Sequence, residues 1–285
     1  MNVSIIIVSY NTEDLTLACL RSIEAADGEK EIFVIDNAST DLSVKSIKES
    51  YPNVCLIENS ENRGFAAANN QALKLCKGRY VIFLNPDTTI KRNTLNNAVA
   101  YMDRNPQVGL AGARILNPDG SLQESISYRY PGEKYALGET KNLKGNIACV
   151  LGAFMISPRD LIEEMEGFDE DFFLYGEDED LAWRIREKGL SIGFIEDADV
   201  FHWGGQSEKN TPPSALFKKK LQAEFLFYSK HYRPETIERI RRAHVRKALY
   251  RMLTLRFQKL FAPHSVILND KDKNYRLILE ICRHG

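Results

Sequence analysis

Four consecutive acids, Glu177-Asp178-Glu179-Asp180, follow a Tyr175-Gly176 pair. Acids at a helix start interact favourably with the macrodipole, but four exceed what one helix end needs. One of them can serve as a general base if it stays ionised near neutral pH. Asn85-Pro86-Asp87 places a carboxylate beside a proline, directly after an apolar run. That tripeptide fits a turn, and it equally fits a carboxylate ligand for Mg²⁺ or Mn²⁺, which take one or two carboxylates plus phosphate oxygens. His202, in Phe201-His202-Trp203-Gly204, reads as a packed core histidine or as an imidazole ligand to a metal such as Mn²⁺.

Three further clusters suit an anionic, hydrogen-bonding ligand. Ser9-Tyr10-Asn11 ends the first apolar run and Asp36-Asn37-Ala38-Ser39-Thr40-Asp41 the second. Asp36 can accept a hydrogen bond from a base N–H or a ribose hydroxyl, while Ser39 or Thr40 reads as the N-cap of the next helix. In Asn62-Arg63-Gly64-Phe65-Ala66 the arginine can pair with a phosphate or carboxylate in a bidentate fashion, and the small residues allow close backbone approach.

The elements that must hold these residues alternate in type. Val3–Ser9, Glu31–Asp36, Val54–Glu58 and Tyr80–Leu84 are short apolar, β-branched runs that predict strands. Thr12–Ala26, Asp41–Ser50 and Phe65–Cys76 between them predict helices. Such alternation predicts an α/β fold with a mostly parallel, doubly wound sheet, whose ligands bind at the carboxyl ends of the strands. Beyond Ala113, Asn117-Pro118-Asp119-Gly120 predicts a hairpin turn. Cys149–Ser157 predicts a strand, Asp178–Lys188 a helix closed by Gly189, and Ser191–Glu196 a strand leading to His202. From Ser214 the chain reads as helical, with Pro234 opening a new helix. The polar stretch Gly204–Ser214 marks a boundary between residues 1–205 and a mainly helical extension, 206–285.

Composition narrows the classes. No stretch approaches the ~20 apolar residues of a membrane span, and no signal-peptide pattern opens the chain. Five scattered cysteines form no metal-type pair and predict a reduced, cytoplasmic protein. Charge is uneven: residues 216–260 hold 13 Lys and Arg against 3 Asp and Glu, while the remainder carries a balance of −11.

The order and spacing of the motifs resemble glycosyltransferase family 2, and most closely its rhamnosyltransferase-like members. The resemblance rests on Ser-Tyr-Asn, Asp-Asn-Ala-Ser-Thr-Asp, Asn-Arg-Gly-Phe-Ala, Leu-Asn-Pro-Asp, Gly-Phe-Asp-Glu-Asp-Phe-Phe-Leu-Tyr-Gly-Glu-Asp-Glu-Asp-Leu and a late His, across residues 1–205. It implies the GT-A fold and an inverting transfer from a dTDP- or UDP-linked sugar, with rhamnose as the leading donor sugar, to a glycan or lipid-linked glycan acceptor. It implies that Asp36 contacts the base, that Ser9 and Asn11 line the nucleotide pocket, and that Arg63 lies near base and phosphates. Asp87 matches the last acid of the family's Asp-x-Asp motif, whose first acid is here Asn85. His202 matches a histidine that completes the metal site in some members, and Asp178 matches the catalytic base, with Glu177 and Asp180 as second choices because four adjacent acids blur the register. For the acceptor, Gly152 and Ala153 suit a close-approach wall, Tyr175 and Trp203 can stack on sugar faces, and Tyr128 or Arg129 suits an acceptor loop. Ordinary packing explains these last residues equally well.

Two other functions fit parts of the sequence: a sugar nucleotidyltransferase on a related fold, and an inactive nucleotide-sugar-binding module. The first lacks its Gly-rich phosphate loop, since Tyr10-Asn11-Thr12-Glu13 stands there, and the second is disfavoured by the intact Asp87, Asp178 and His202. The basic helices of the extension suit packing on the body, a homodimer contact, or peripheral attachment to the inner face of an anionic membrane. The acidic body and the absence of nucleic-acid motifs argue against a nucleic-acid partner.

Overall fold

The structure is a computed structural model that describes residues 2–206, 209, 211–262 and 265–284. The chain divides into two compact units, Met1–Tyr130 with Leu143–Lys209, and Pro131–Asn142 with Asn210–Gly285. The sequence had placed residues 131–142 with the body; they instead accompany the helical extension.

In the first unit, β1 (Val3–Ser9), α1 (Glu13–Ala25), β2 (Lys30–Asp36), α2 (Ser43–Ser50), β3 (Cys55–Glu58), α3 (Gly64–Leu73) and β4 (Tyr80–Leu84) form the alternating half. There follow β5 (Thr88–Ile90), α4 (Thr94–Arg104), β6 (Val108–Leu116), β7 (Ile126–Ser127), β8 (Cys149–Val150), β9 (Phe154–Pro158), α6 (Arg159–Glu164), α7 (Glu177–Glu187) and β10 (Ser191–His202). Eight strands make one sheet in the order β3-β2-β1-β4-β9-β6-β10-β5. It is parallel except where β9 pairs with β4 and β6, and β5 with β10. Its central strands are buried on both faces, which is why β1 and β4 read as unbroken apolar runs. Side chains alternate: Ile5 and Ile7 face a core covered by α1, α2 and α4, and Ile6 faces one covered by α3, α6 and α7.

Two predicted strands change. The run Cys149–Ser157 is broken at Leu151–Ala153, because β8 belongs to a two-stranded ribbon with β7 while β9 enters the main sheet. The strand predicted to stop at Glu196 continues to His202 through a register shift between Ile195 and Asp199. Its acids look like loop in sequence, yet Asp199 is buried and accepts hydrogen bonds from Arg114 Nε (2.5 Å) and Lys91 Nζ (2.6 Å). The predicted turn at Asn117–Gly120 is present, with Gly120 N–H donating to Asn117 O and Leu116 bridging Leu122.

The Arg114 hydrogen bond, helped by Lys91, holds the Asp199 carboxyl below its ordinary range. A depressed carboxyl contributes stability above its unfolded pKa, about 3.9, and loses it as pH falls through the folded value. Both cations are partly exposed, which limits the contribution. Asp199→Asn is expected to cost about 1–2 kcal/mol at neutral pH. In thermal melts the gap between variant and parent should close as pH drops below 4.

In the second unit, α5 (Leu137–Thr140), α8 (Pro213–His231), α9 (Pro234–Phe261) and α10 (Val266–His284) are helical. Leu221, Ala248 and Ile278, one from each long helix, meet in its core. Pro234 stands in the first turn of α9 as predicted, where a missing N–H costs nothing.

Candidate active site

The first two loops leave the sheet side by side, since Ser9 pairs in register with Asp36. Asn11 joins them: its N–H donates to Ser39 Oγ, and its Oδ1 accepts from Thr40 N–H and Oγ1. Neither Ser39 nor Thr40 therefore caps α2. That helix starts later, at Ser43, whose N–H donates to Asp41 Oδ1. Ser9 does not line an open pocket either. Its side chain is fully buried and bonded to the hydroxyls of Thr12 and Thr16, which fixes the loop from beneath. Asp36 is 2% exposed; Oδ2 accepts from Ser39 N–H, while Oδ1 is buried without a partner. A buried carboxylate oxygen left unpaired is costly, and a donor from a bound ligand would satisfy it.

Asn37, which was not among the residues expected to act, connects the first loops of the sheet. Its N–H donates to Ser9 O, its Nδ2 to Gly64 O, and its Oδ1 accepts from Asn59 Nδ2. Gly64 has φ of +81° and no room for a side chain: an added Cβ would lie 2.5 Å from Phe173 O. Phe65 N–H donates to that same carbonyl. Arg63 is thus left exposed at the N-terminus of α3.

Asp87 and His202 come together through the sheet. β5 runs antiparallel to β10 with Thr88 opposite His202, and Asp87 Oδ1 lies 3.3 Å from His202 Nε2. Both are buried, at 4% and 7% exposure. His202 Nδ1 is 2.9 Å from Gln123 Oε1. With Gln123 accepting from Nδ1–H, Nε2 carries a lone pair facing a carboxylate oxygen, an arrangement that a cation between them would stabilise. No three His, Cys, Asp or Glu converge as metal ligands among the described residues. The donor set therefore fits a Mg²⁺ or Mn²⁺ ion that takes its other ligands from diphosphate oxygens. Asn85 is anchored by donating its N–H to Ala153 O and accepting from Thr88 Oγ1.

The acidic run separates into distinct states. Asp180 is 1% exposed and paired with Arg184 Nε at 2.7 Å, so its carboxylate is committed to the fold. Asp178 accepts from Glu179 N–H (3.0 Å) and Gly152 N–H (3.3 Å). Burial raises its carboxyl above the ordinary range, and those two donors oppose the rise. Glu177 is raised further, first by burial and then by the charge of Asp178, and its Oε2 has no partner. Of the two, Asp178 is the one whose charge is stabilised by backbone N–H donors from both Glu179 and Gly152. Tyr175 (φ +73°) and Gly176 (φ +88°) place two successive left-handed residues just before this helix, a costly conformation that concentrates at functional sites.

The acceptor-side expectations divide. The Gly152 backbone approaches Asp178 directly, and an added Cβ there would meet Asp178 Oδ2 at 3.6 Å. Ala153 is fully buried, and only its carbonyl serves the site, through Asn85. Trp203 is 41% exposed next to His202, and its N–H donates to Asp87 O. Tyr128 and Arg129 are exposed beyond β7. Tyr10, also exposed, stands one residue past the Ser9–Asp36 register. A cavity of about 840 Å³ opens elsewhere, beside Asn70, Lys74, Glu163, Phe168 and Arg184. It holds none of the four residues Asp36, Asp87, Asp178 and His202, and the sheet's carboxyl edge remains the better chemical candidate.

A mostly parallel sheet that carries an Asn-Pro-Asp loop, a facing histidine and an acidic helix at its ligand-binding edge defines a GT-A glycosyltransferase. The fold is shared with the mannosyltransferase PcManGT of Pyrobaculum calidifontis, solved with GDP-Man and Mn²⁺. The TM-score is 0.60 at 20% identity, over 98% of this chain and 85% of that one. The N-acetylglucosaminyl-diphospho-decaprenol L-rhamnosyltransferase of Mycobacterium tuberculosis is 25% identical over 222 residues, covering 67% of this chain and 72% of that protein. Rhamnosyltransferase WbbL of Escherichia coli is 25% identical over 248 residues, covering 80% and 93%. The sequence profile of glycosyl transferase family 2 matches residues 4–165, and the chain belongs to that family. Asp178 and His202 lie beyond the matched segment, so their placement rests on the geometry above.

Proposed function

We propose that this enzyme transfers a sugar, with inversion and with a divalent cation, from a dTDP- or UDP-linked donor to a hydroxyl of a glycan or lipid-linked glycan in cell-surface polysaccharide synthesis. Rhamnose is the first sugar to test, because the relatives above are named for it. The observation that carries the reading is the turn Leu151–Ala153: Gly152 holds Asp178 while Ala153 holds the Asn85 loop that leads to Asp87. A base for the acceptor and a ligand for the leaving group are set by one short piece of backbone.

Asp36, with its unpaired Oδ1, binds the base or ribose, and Tyr10 offers an aromatic face one residue from it. Arg63 meets the phosphates. Asp87 and His202 would hold Mg²⁺ or Mn²⁺, which would neutralise charge on the diphosphate as a Lewis acid; PcManGT was solved with Mn²⁺. Asp178 takes the proton from the acceptor hydroxyl as its oxygen bonds to the anomeric carbon. The bond from that carbon to the diphosphate oxygen breaks, and its electron pair leaves with the nucleoside diphosphate. Attack opposite the leaving group inverts the anomeric carbon, as in single-base inverting hydrolysis with a sugar hydroxyl in place of water. Cytoplasmic placement is supported by five free cysteines, three of them buried, and no described helix is long and apolar enough to cross a membrane.

The test is a panel of dTDP-rhamnose, UDP-glucose, UDP-N-acetylglucosamine and GDP-mannose, each with Mn²⁺, Mg²⁺ or EDTA, and a lipid-diphosphate-linked N-acetylglucosamine as acceptor. Nucleoside diphosphate released only with cation and acceptor supports the reading. Pyrophosphate as product would replace it with nucleotidyl transfer. The Gln123 contact supplies a subtler expectation: Gln123→Leu should weaken cation activation about 10–100-fold, measured as the Mn²⁺ concentration for half-maximal rate, with turnover at saturating cation largely retained.

A further inference from the structure

The outward stripe of α9 changes character along its length. At 3.6 residues per turn, Arg239, Arg242 and Arg246 fall on the same face as Leu249, Leu253 and Phe257. Toward the C-terminal end this face becomes bare hydrocarbon: Leu253, Phe257, Leu260 and Phe261 are between 64% and 83% exposed. The start of the antiparallel neighbour α10 adds Val266 and Ile267, at 72% and 66%. Side chains of this size, exposed together, have a partner in a soluble protein. Along this part of α9 the charge is positive: from Arg239 to Ala262 there are eight Lys and Arg and no Asp or Glu, and of these Arg242 pairs with Glu238 and Lys259 with Asp272 of α10. Beside the stripe, a groove of about 590 Å³ is lined by Tyr135, Arg239, Arg241, Arg242, Arg246 and Cys282. Inside it Arg241 Nε is buried without a partner, as a donor awaiting an anion would be.

We infer that this face lies on an anionic lipid surface, with the exposed apolar side chains at the end of α9 and the start of α10 inserted among the acyl chains and the arginines on the phosphates. A helix of 28 residues is about 42 Å long, enough to rest along the interface. Since no described helix qualifies as a membrane span, contact is by lying on the surface. An apolar end with a basic collar is the pattern of an interfacial helix. A second copy of the chain is the rival occupant of the hydrocarbon. Charge decides against it, because a two-fold contact sets this positively charged segment against itself. The inference concerns the helical unit alone and stands whichever sugar is transferred. Its readout is binding, so its failure is distinct from a failure of the transferase reading.

The full chain should sediment with vesicles of equal phosphatidylglycerol and phosphatidylcholine at low salt, and not with phosphatidylcholine alone. R242E/R246E should lower the partition coefficient on the anionic vesicles about tenfold or more, and F257D/F261D should abolish retention, each with an unchanged thermal melt. Both apolar positions are exposed, so the second variant folds. In F261W the introduced indole should shift to shorter wavelength on anionic vesicles and be quenched by brominated acyl chains. An unquenched indole overturns the inference. So does a concentration-dependent dimer that F257D/F261D dissociates while vesicle binding persists.

Discussion

Asp178→Asn is expected to lower the rate of sugar transfer by about 10²–10⁴-fold, the range a positioned general base supplies. Donor binding, followed by calorimetry with the nucleoside diphosphate, should remain within about twofold, because asparagine keeps the planar shape of the side chain and its one oxygen can still accept from either Gly152 or Glu179, which bond to separate oxygens of Asp178. The pH profile sharpens the assignment. Burial raises the Asp178 carboxyl, and a base works only when ionised, so kcat/KM should rise with pH through that elevated value and then level. Glu177, Glu179, Asp180 and the Cys149 thiol surround it on α7 and β8. Of these, Glu177 and Cys149 are themselves pushed upward by burial. The acid limb should disappear from the residual activity of Asp178→Asn. A variant that transferred sugar near the parental rate would remove Asp178 from the mechanism. Asp180→Asn offers the contrast: with its carboxylate already bound to Arg184, its loss should appear in thermal stability before it appears in the pH profile.

Asp87→Ala is expected to cost about 10³-fold or more in kcat/KM, since Lewis-acid stabilisation is worth several kcal/mol and each ~1.4 kcal/mol is a factor of ten. The signature lies in the cation dependence. The parent should lose activity in EDTA and regain it with Mn²⁺ or Mg²⁺, whereas the variant should be equally slow in all three. Manganese relaxation enhancement of water protons, measured with nucleoside diphosphate present, reports the same site without turnover. His202→Ala should resemble Asp87→Ala in that measurement, because the two side chains meet 3.3 Å apart. Full Mn²⁺ binding by Asp87→Ala would mean that this pair is only structural.

The alternating half of the fold was legible because its strands are short apolar runs, buried on both faces at β1 and β4, and the segments between them have helical character, an apolar stripe in α1 and a run of small residues in α3. Tyr80–Leu84 emerged with the bounds that its composition suggests. The later half was harder. One apolar run, Cys149–Ser157, serves two sheets, and hydropathy carries no sign of the break at Gly152. The strand from Ser191 was predicted to stop at Glu196 because the bulge that follows exposes Asp197 as a loop would. At the site, strand ends and reactive residue types marked Asp36, Asp87 and Asp178, whereas side-chain direction was beyond reach. Ser9 turns inward to two threonines because it falls on the buried side of the last pleat of β1. Gln123 touches His202 across 79 positions, a distance in sequence that no local pattern spans. Asn37 stood inside a marked cluster, but its hydrogen bonds depend on loops that only the folded chain brings together.

The contact at Gly64 has a practical consequence for redesign. Backbone meets backbone there, Phe65 N–H on Phe173 O, with no side chain between to absorb a shift. The loop that presents Arg63 to a donor is thereby yoked to the segment that leads into the Asp178 helix. A library that diversifies residues 62–65 to change the sugar nucleotide will therefore also disturb the geometry that receives the acceptor. On the proposed reading, donor and acceptor preference should shift together, and selections for one should be screened for drift in the other.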